Sequence, residues 1–159
     1  MPNNPFTRRS FCIAGMSLAA LAGTSLPAFA KTVSRFSLSG KGHALKGYDA
    51  TAYFKTNKPA KGSDAATVAW KGAKWRFASE ADAALFKSNP DAYAPQFGGY
   101  CTRAMSLGKE VPGDPEVWRI HNGKLHVFFA PRGGTAFDKG PDAMIKRAQA
   151  HWETLTFVE

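Results

Sequence analysis

Hydrophobic and polar positions change period several times along this chain, and the changes mark its elements. Residues 67–70 read Thr-Val-Ala-Trp, residues 71–73 read Lys-Gly-Ala, and residues 74–77 read Lys-Trp-Arg-Phe. Val68 and Trp70 share one face. Trp75 and Phe77 share a face as well, opposite Lys74 and Arg76. Aromatic and β-branched residues alternating around a short glycine-containing turn predict a β-hairpin. A second hairpin is predicted over residues 117–121 and 124–129, joined by Asn122-Gly123, a strong local turn signal between alternating runs.

Elsewhere the period lengthens. Ser79 stands as an N-cap, with Asp82 in the capping-box position, ahead of a helix over Glu80–Ser88. Its apolar residues Ala81, Ala84, Leu85 and Phe86 are expected to face inward. Asn89-Pro90 ends that helix, and Pro90 begins a short helical turn through Tyr93. Residues 141–155 read as an amphipathic helix, with Met144, Ile145, Ala148 and Trp152 on one face. Residues 31–42 fit an edge strand or a loose lead-in. Gly47 and Asp49 mark a turn, Asp49 capping a short helix that holds Ala52, Tyr53 and Phe54. Residues 55–64, 110–115 and 131–140 read as loops. The pattern predicts an α+β fold: a small antiparallel sheet built from two β-hairpins, with short helices and a C-terminal amphipathic helix packed on it.

Composition supports one domain with a real core: 159 residues, of which 44% are hydrophobic and 13% aromatic. The first thirty residues stand apart. Arg8-Arg9 precede an apolar run, and Ala28-Phe29-Ala30 supplies a small-x-small cleavage pattern, as in a twin-arginine export signal cut after Ala30. Glycine, serine and threonine interrupt the run, so no stable membrane span is expected. Residues 31–43 then form a lead-in and 44–159 a single domain, with a periplasmic location. Removing two arginines and no acid lowers the net charge from +9 to +7. The remaining lysines and arginines are scattered, which reads as a basic surface. Export argues against nucleic acid as a partner.

Cleavage also removes Cys12 and leaves one cysteine, Cys101. A single thiol in an oxidising compartment makes no internal disulfide. It is buried and inert, a metal ligand, a reactive nucleophile, or half of an intermolecular bridge. Gly98-Gly99 precede it, and a helix N-terminus there would lower its pKa. Met105 follows four residues later, on the same face if that stretch is helical. A Cys–Met pair with one histidine is a soft set suited to copper. His121 and His126 straddle the second turn, and the register decides whether they meet. Tyr48 and Asp49 fit ligands, partners of the thiol, or a turn. The acids Asp114 and Glu116 sit in a loop and read as solvated. No nucleophile elbow, P-loop or dinucleotide fingerprint is present.

Residues 75–79 (Trp-Arg-Phe-Ala-Ser), a short helix, and residues 86–93 (Phe-Lys-Ser-Asn-Pro-Asp-Ala-Tyr) together resemble a YHS domain. Residues 45–54 resemble the opening of the exported branch of that family, and residues 97–101 (Phe-Gly-Gly-Tyr-Cys) its glycine-tyrosine-cysteine element. The resemblance runs from about Ala44 to Ser106 and continues to Trp152. It implies a small module associated with metal handling, as beside copper-transporting ATPases. The cysteines that metal-binding branches place between hairpin and helix are absent, Ala78 standing there, which leaves Tyr48, Asp49 and Cys101. The expectation is an exported YHS-type binding protein, not a self-sufficient enzyme, that handles copper or iron through Cys101, Tyr48 and Asp49, with His126 or Met105. The alternatives are a thiol-redox protein with a redox partner, using Cys101 as nucleophile, and an interaction module without a ligand.

Overall fold

The computed structural model describes residues 31–158, and the export-signal reading on Arg8, Arg9, Ala28 and Ala30 lies outside them. In chain order the elements are β1 (Thr32–Ser34), a 3-10 turn (Leu45–Gly47), α1 (Ala52–Lys55), β2 (Ser63–Trp70), β3 (Ala73–Phe77), α2 (Glu80–Ser88) and α3 (Pro90–Tyr93). A second 3-10 turn (Gln96–Gly99) leads to α4 (Thr102–Met105), then β4 (Asp114–His121), β5 (Lys124–Phe128), α5 (Pro131–Asp138), α6 (Pro141–Trp152) and β6 (Thr156–Val158). The fold is α+β. Both antiparallel hairpins form, β2 with β3 and β4 with β5, as separate two-stranded ladders, and β1 pairs in parallel with β6. Among the described residues, no helix is long and apolar enough to cross a membrane.

Each hairpin turns through two residues with positive φ: Lys71 and Gly72 in the first, Asn122 and Gly123 in the second. That conformation matches the right-handed twist of the strands it joins. The first hairpin buries Val68, Trp75 and Phe77 on one face. Trp75 stacks on Phe86 with ring centroids 4.9 Å apart, and Phe36 meets Trp75 edge-on at 5.1 Å. Aromatic pairs of this kind add about 0.5–1.5 kcal/mol each beyond the area they bury. Phe36 lies in the 31–43 segment, so that segment contributes to the same core.

Three expectations change. In α2 the buried residues are Asp82, Ala83 and Phe86, while Ala81 and Ala84 are exposed. The Ser79 cap bonds Asp82, Lys55 reaches the Asp82 carboxylate, and Phe86 stacks on Trp75. Those anchors turn Ala83 inward and leave Ala81 and Ala84 outside. Residues 131–138 form a helix, not a loop. Pro131 takes the first turn, and Gly133 sits where a side chain would lie 3.1 Å from Phe128 Cβ. Those residues look like loop markers, but here they permit close helix–strand packing. Finally, α6 stops at Trp152, and the chain extends into β6. The expected inner face of α6 is otherwise present, with Met144 and Ala148 buried and Ile145 and Trp152 partly so.

Candidate functional site

The stretch around Cys101 is shaped by one crowded crossing. Gly98 has φ +60°, and a side chain on it would come within 1.9 Å of the Arg35 carbonyl oxygen. Its own carbonyl accepts the Ser37 N–H at 2.8 Å. Only glycine tolerates both the conformation and the approach. The crossing aims residues 100 and 101 between two other segments. Tyr100 bridges to Pro112, and Cys101 bridges to Val127 of β5. The Cys101 N–H donates to the Val111 carbonyl at 2.7 Å.

Cys101 is extended, with φ −61° and ψ 114°, and stands as the N-cap of α4. Its Sγ accepts the Ala104 N–H at 3.4 Å, and the residue is 4% exposed. It packs with Phe128, Phe137 and Met144. Met105 is fully buried and joins a different cluster, with Phe97, Tyr100, Ala148 and Leu155. Because Cys101 precedes the helix and does not belong to it, the four-residue spacing does not bring thiol and thioether onto one face.

The other expected site residues each have partners of their own. Tyr48 packs against the aromatic core. Its hydroxyl donates to Glu116 Oε1 at 2.7 Å. That hydrogen bond, then desolvation and the nearby acids Glu116 and Asp114, push the phenol up to about 12. Asp49 is 1% exposed. Its Oδ1 accepts from the Thr51 N–H at 2.8 Å and the Thr51 hydroxyl at 2.7 Å, and its Oδ2 from the Ala78 N–H at 2.9 Å. This carboxylate pins the start of α1 to Ala78, just past the end of β3. His126 Nδ1 lies 3.2 Å from Thr102 Oγ1. Its ring sits between Phe97 and Phe137, with centroids at 6.2 and 5.1 Å. Burial first, and His121 second, push its pKa down to about 4. Register pairs His126 with Arg119 and His121 with Lys124, so the two histidines are not cross-strand partners. His121 Nε2 instead meets Asp142 Oδ1 at 2.8 Å.

Of the donors expected for copper or iron, His126 shares the neighbours Thr102 and Phe137 with Cys101, while Met105, Tyr48 and Asp49 are held by other partners. Cys101, Met105 and Tyr48 belong to three packing clusters, and the Asp49 oxygens already hold three hydrogen bonds. Among the described residues, no group of three or more His, Cys, Asp or Glu is placed to hold a metal ion.

What Cys101 does border is a cavity of about 250 Å³. Cys101, Ala104 and Val111 form its floor, and Ala130 and Gly133 at the start of α5 form a wall. Leu107 and Phe129 stand at its mouth, 62% and 60% exposed. Arg103, Lys109 and Arg132 complete the lining, and no acid does. Among the described residues, none of these three cations forms a salt bridge. The neighbouring acid, Glu110, is held by Lys31 and His151.

Sequence reasoning missed these rim residues, although one signal was there. Phe128-Phe129 breaks the alternation of β5, so one of the two phenylalanines has to face outward. No family model, curated protein or solved structure matches the chain. The resemblance to YHS domains rests on the motifs quoted above.

Proposed function

We propose that this chain is an exported, YHS-type binding module, not a self-sufficient enzyme, and that its ligand occupies the pocket floored by Cys101. The observation that carries this reading is the pocket itself: an apolar cavity bordered by the only cysteine after residue 30, opening between two exposed apolar side chains. Apolar cavities with a few convergent polar groups are the usual form of a ligand site.

Copper or iron handling is what the resemblance implies, and Cys101 is the one soft donor in this pocket. A panel of Cu(I), Fe(II) and small organic anions, screened by thermal shift, tests the proposal. At least one member should raise the Tm of the wild type and leave Ala104→Trp, whose new side chain fills the cavity, unchanged. Circular dichroism verifies that Ala104→Trp folds, and Cys101→Ala serves as a milder second variant. A panel with no stabilising member, or stabilisation indifferent to both variants, overturns the reading. Metal per chain that does not fall on Cys101→Ala overturns the metal version alone.

A further inference from the structure

The pocket sorts its chemistry by depth. Its floor is apolar: a thiol that packs as a small hydrophobe, with the side chains of Ala104 and Val111. Its rim is cationic, with one charge from α4, one from the loop after it and one from α5: Arg103, Lys109 and Arg132. These side chains are exposed. Nothing anionic lines the cavity to neutralise them.

A metal cation gains little here, because the rim repels it and the floor offers one sulfur. A purely polar anion leaves the floor unused. A neutral apolar molecule leaves the rim unused. A molecule with an apolar body and an anionic head uses both. Size narrows the class further. A cavity of about 150 Å³ lined by apolar side chains admits benzene, so about 250 Å³ accommodates an apolar body of about ten carbons.

We infer that the Cys101 pocket binds a single-chain amphipathic anion, a medium-chain carboxylate, with its tail on Cys101, Ala104 and Val111 and its head among Arg103, Lys109 and Arg132. This rests on the reading of that pocket as the ligand site. Leu107 and Phe129 flank the tail where it enters. The guanidinium groups suit a carboxylate because their paired N–H donors match its two oxygens.

Isothermal titration of the purified protein with decanoate, below the concentration at which it forms micelles, is the test. Decanol, which lacks the charge, and acetate, which lacks the tail, are run beside it. Saturable one-site binding of decanoate is expected, weakened about tenfold for decanol, and undetectable for acetate. The triple variant Arg103→Gln/Lys109→Gln/Arg132→Gln should bind decanoate about tenfold more weakly and decanol as before. Ala104→Trp should abolish binding of both. Equal affinity for decanoate and decanol, or an unaltered triple variant, overturns the inference. So does binding only to vesicles of anionic phospholipid, which would make this patch a membrane contact. If Cu(I), Fe(II) or another panel member binds in a manner blocked by Ala104→Trp while decanoate does not, the pocket stands as the site and its ligand class is wrong. If nothing binds there, both readings fall.

Discussion

Acidification should destabilise this protein through His126. The residue is 1% exposed, and among the described residues Thr102 Oγ1 is its one side-chain hydrogen-bond partner. Burial in the company of Phe97 and Phe137, with a smaller contribution from His121, pushes the imidazole from its usual 6.5 down to about 4. The folded chain therefore keeps the ring neutral to about pH 4, while the unfolded chain takes up a proton near pH 6.5. Across that window the unfolded state binds more protons, and stability falls as the pH falls. Above the window the neutral ring makes its full contribution. Below it both states are protonated and nothing more is lost. The gap, at about 1.4 kcal/mol per pH unit, corresponds to about 3 kcal/mol.

Urea denaturation of the wild type and His126→Gln, between about pH 7.5 and pH 4, measures it. Glutamine keeps a polar partner for Thr102 and does not titrate. The difference in unfolding free energy, wild type minus variant, should decline by about 3 kcal/mol over the window. Three carboxylates also weaken the fold in acid, one of them Asp138, held down by its hydrogen bond from Arg119. Asp82 is held down chiefly by Lys55. Glu110 is pushed up by its own desolvation but is held below the usual range on balance by Lys31 and His151. All three titrate in either protein and cancel in the difference. Parallel curves for the two proteins, or an imidazole of folded His126 that titrates near 6.5 by NMR, would show that burial does not hold this ring neutral.

Other substitutions test the packing. Phe86→Ala removes the ring stacked on Trp75 and should lower stability by about 3–5 kcal/mol, measured by denaturant unfolding. The exposed Phe129→Ala should stay within about 0.5 kcal/mol of wild type in the same assay. Gly98→Ala sets a methyl against the Arg35 carbonyl at a positive φ, so its Tm should fall by several degrees, on the order of 2 kcal/mol or more. Asp49→Asn changes no volume but points an amide N–H toward the Ala78 N–H or the Thr51 donors. A loss of about 1–3 kcal/mol in chemical denaturation is expected, and an unchanged midpoint would show that the carboxylate is not needed there.

Features of this fold that depend on neighbours in sequence were legible from the chain. Lys71-Gly72 and Asn122-Gly123 announce their hairpins, because residues that accept positive φ between alternating strands leave few other conformations. Ser79 caps α2 as its residue type suggests. What was not legible depends on distant partners. The buried face of α2 is chosen by Lys55 and Trp75, not by its own alanines. In α5, Pro131 and the glycines after it carry the composition of a loop, and only the nearness of Phe128 makes a helix there sensible. The site follows the same division. Cys101 stood out because it has no companion cysteine. Arg103, Lys109 and Arg132 look like ordinary surface charge until α4 and α5 are set side by side. The spacing between Cys101 and Met105 misled because it presumed a helix that begins one residue later.

The parallel pairing of β1 with β6 bears on how the chain reaches this state. Thr32 is matched with Thr156 and Ser34 with Val158, and Phe157 covers both Trp152 and the guanidinium of Arg35. The first described strand thus waits for the last before it has a partner. Hairpins and short helices close early because their contacts are local, while a contact spanning almost the whole described chain is slow to form. During synthesis the front segment, with Val33 and Phe36, emerges long before residues 156–158 do. A chain halted short of Thr156 keeps that edge open and leaves Val33 without its partner Phe157. Synthesis of β6, and not the formation of any earlier element, sets the moment at which the fold can close.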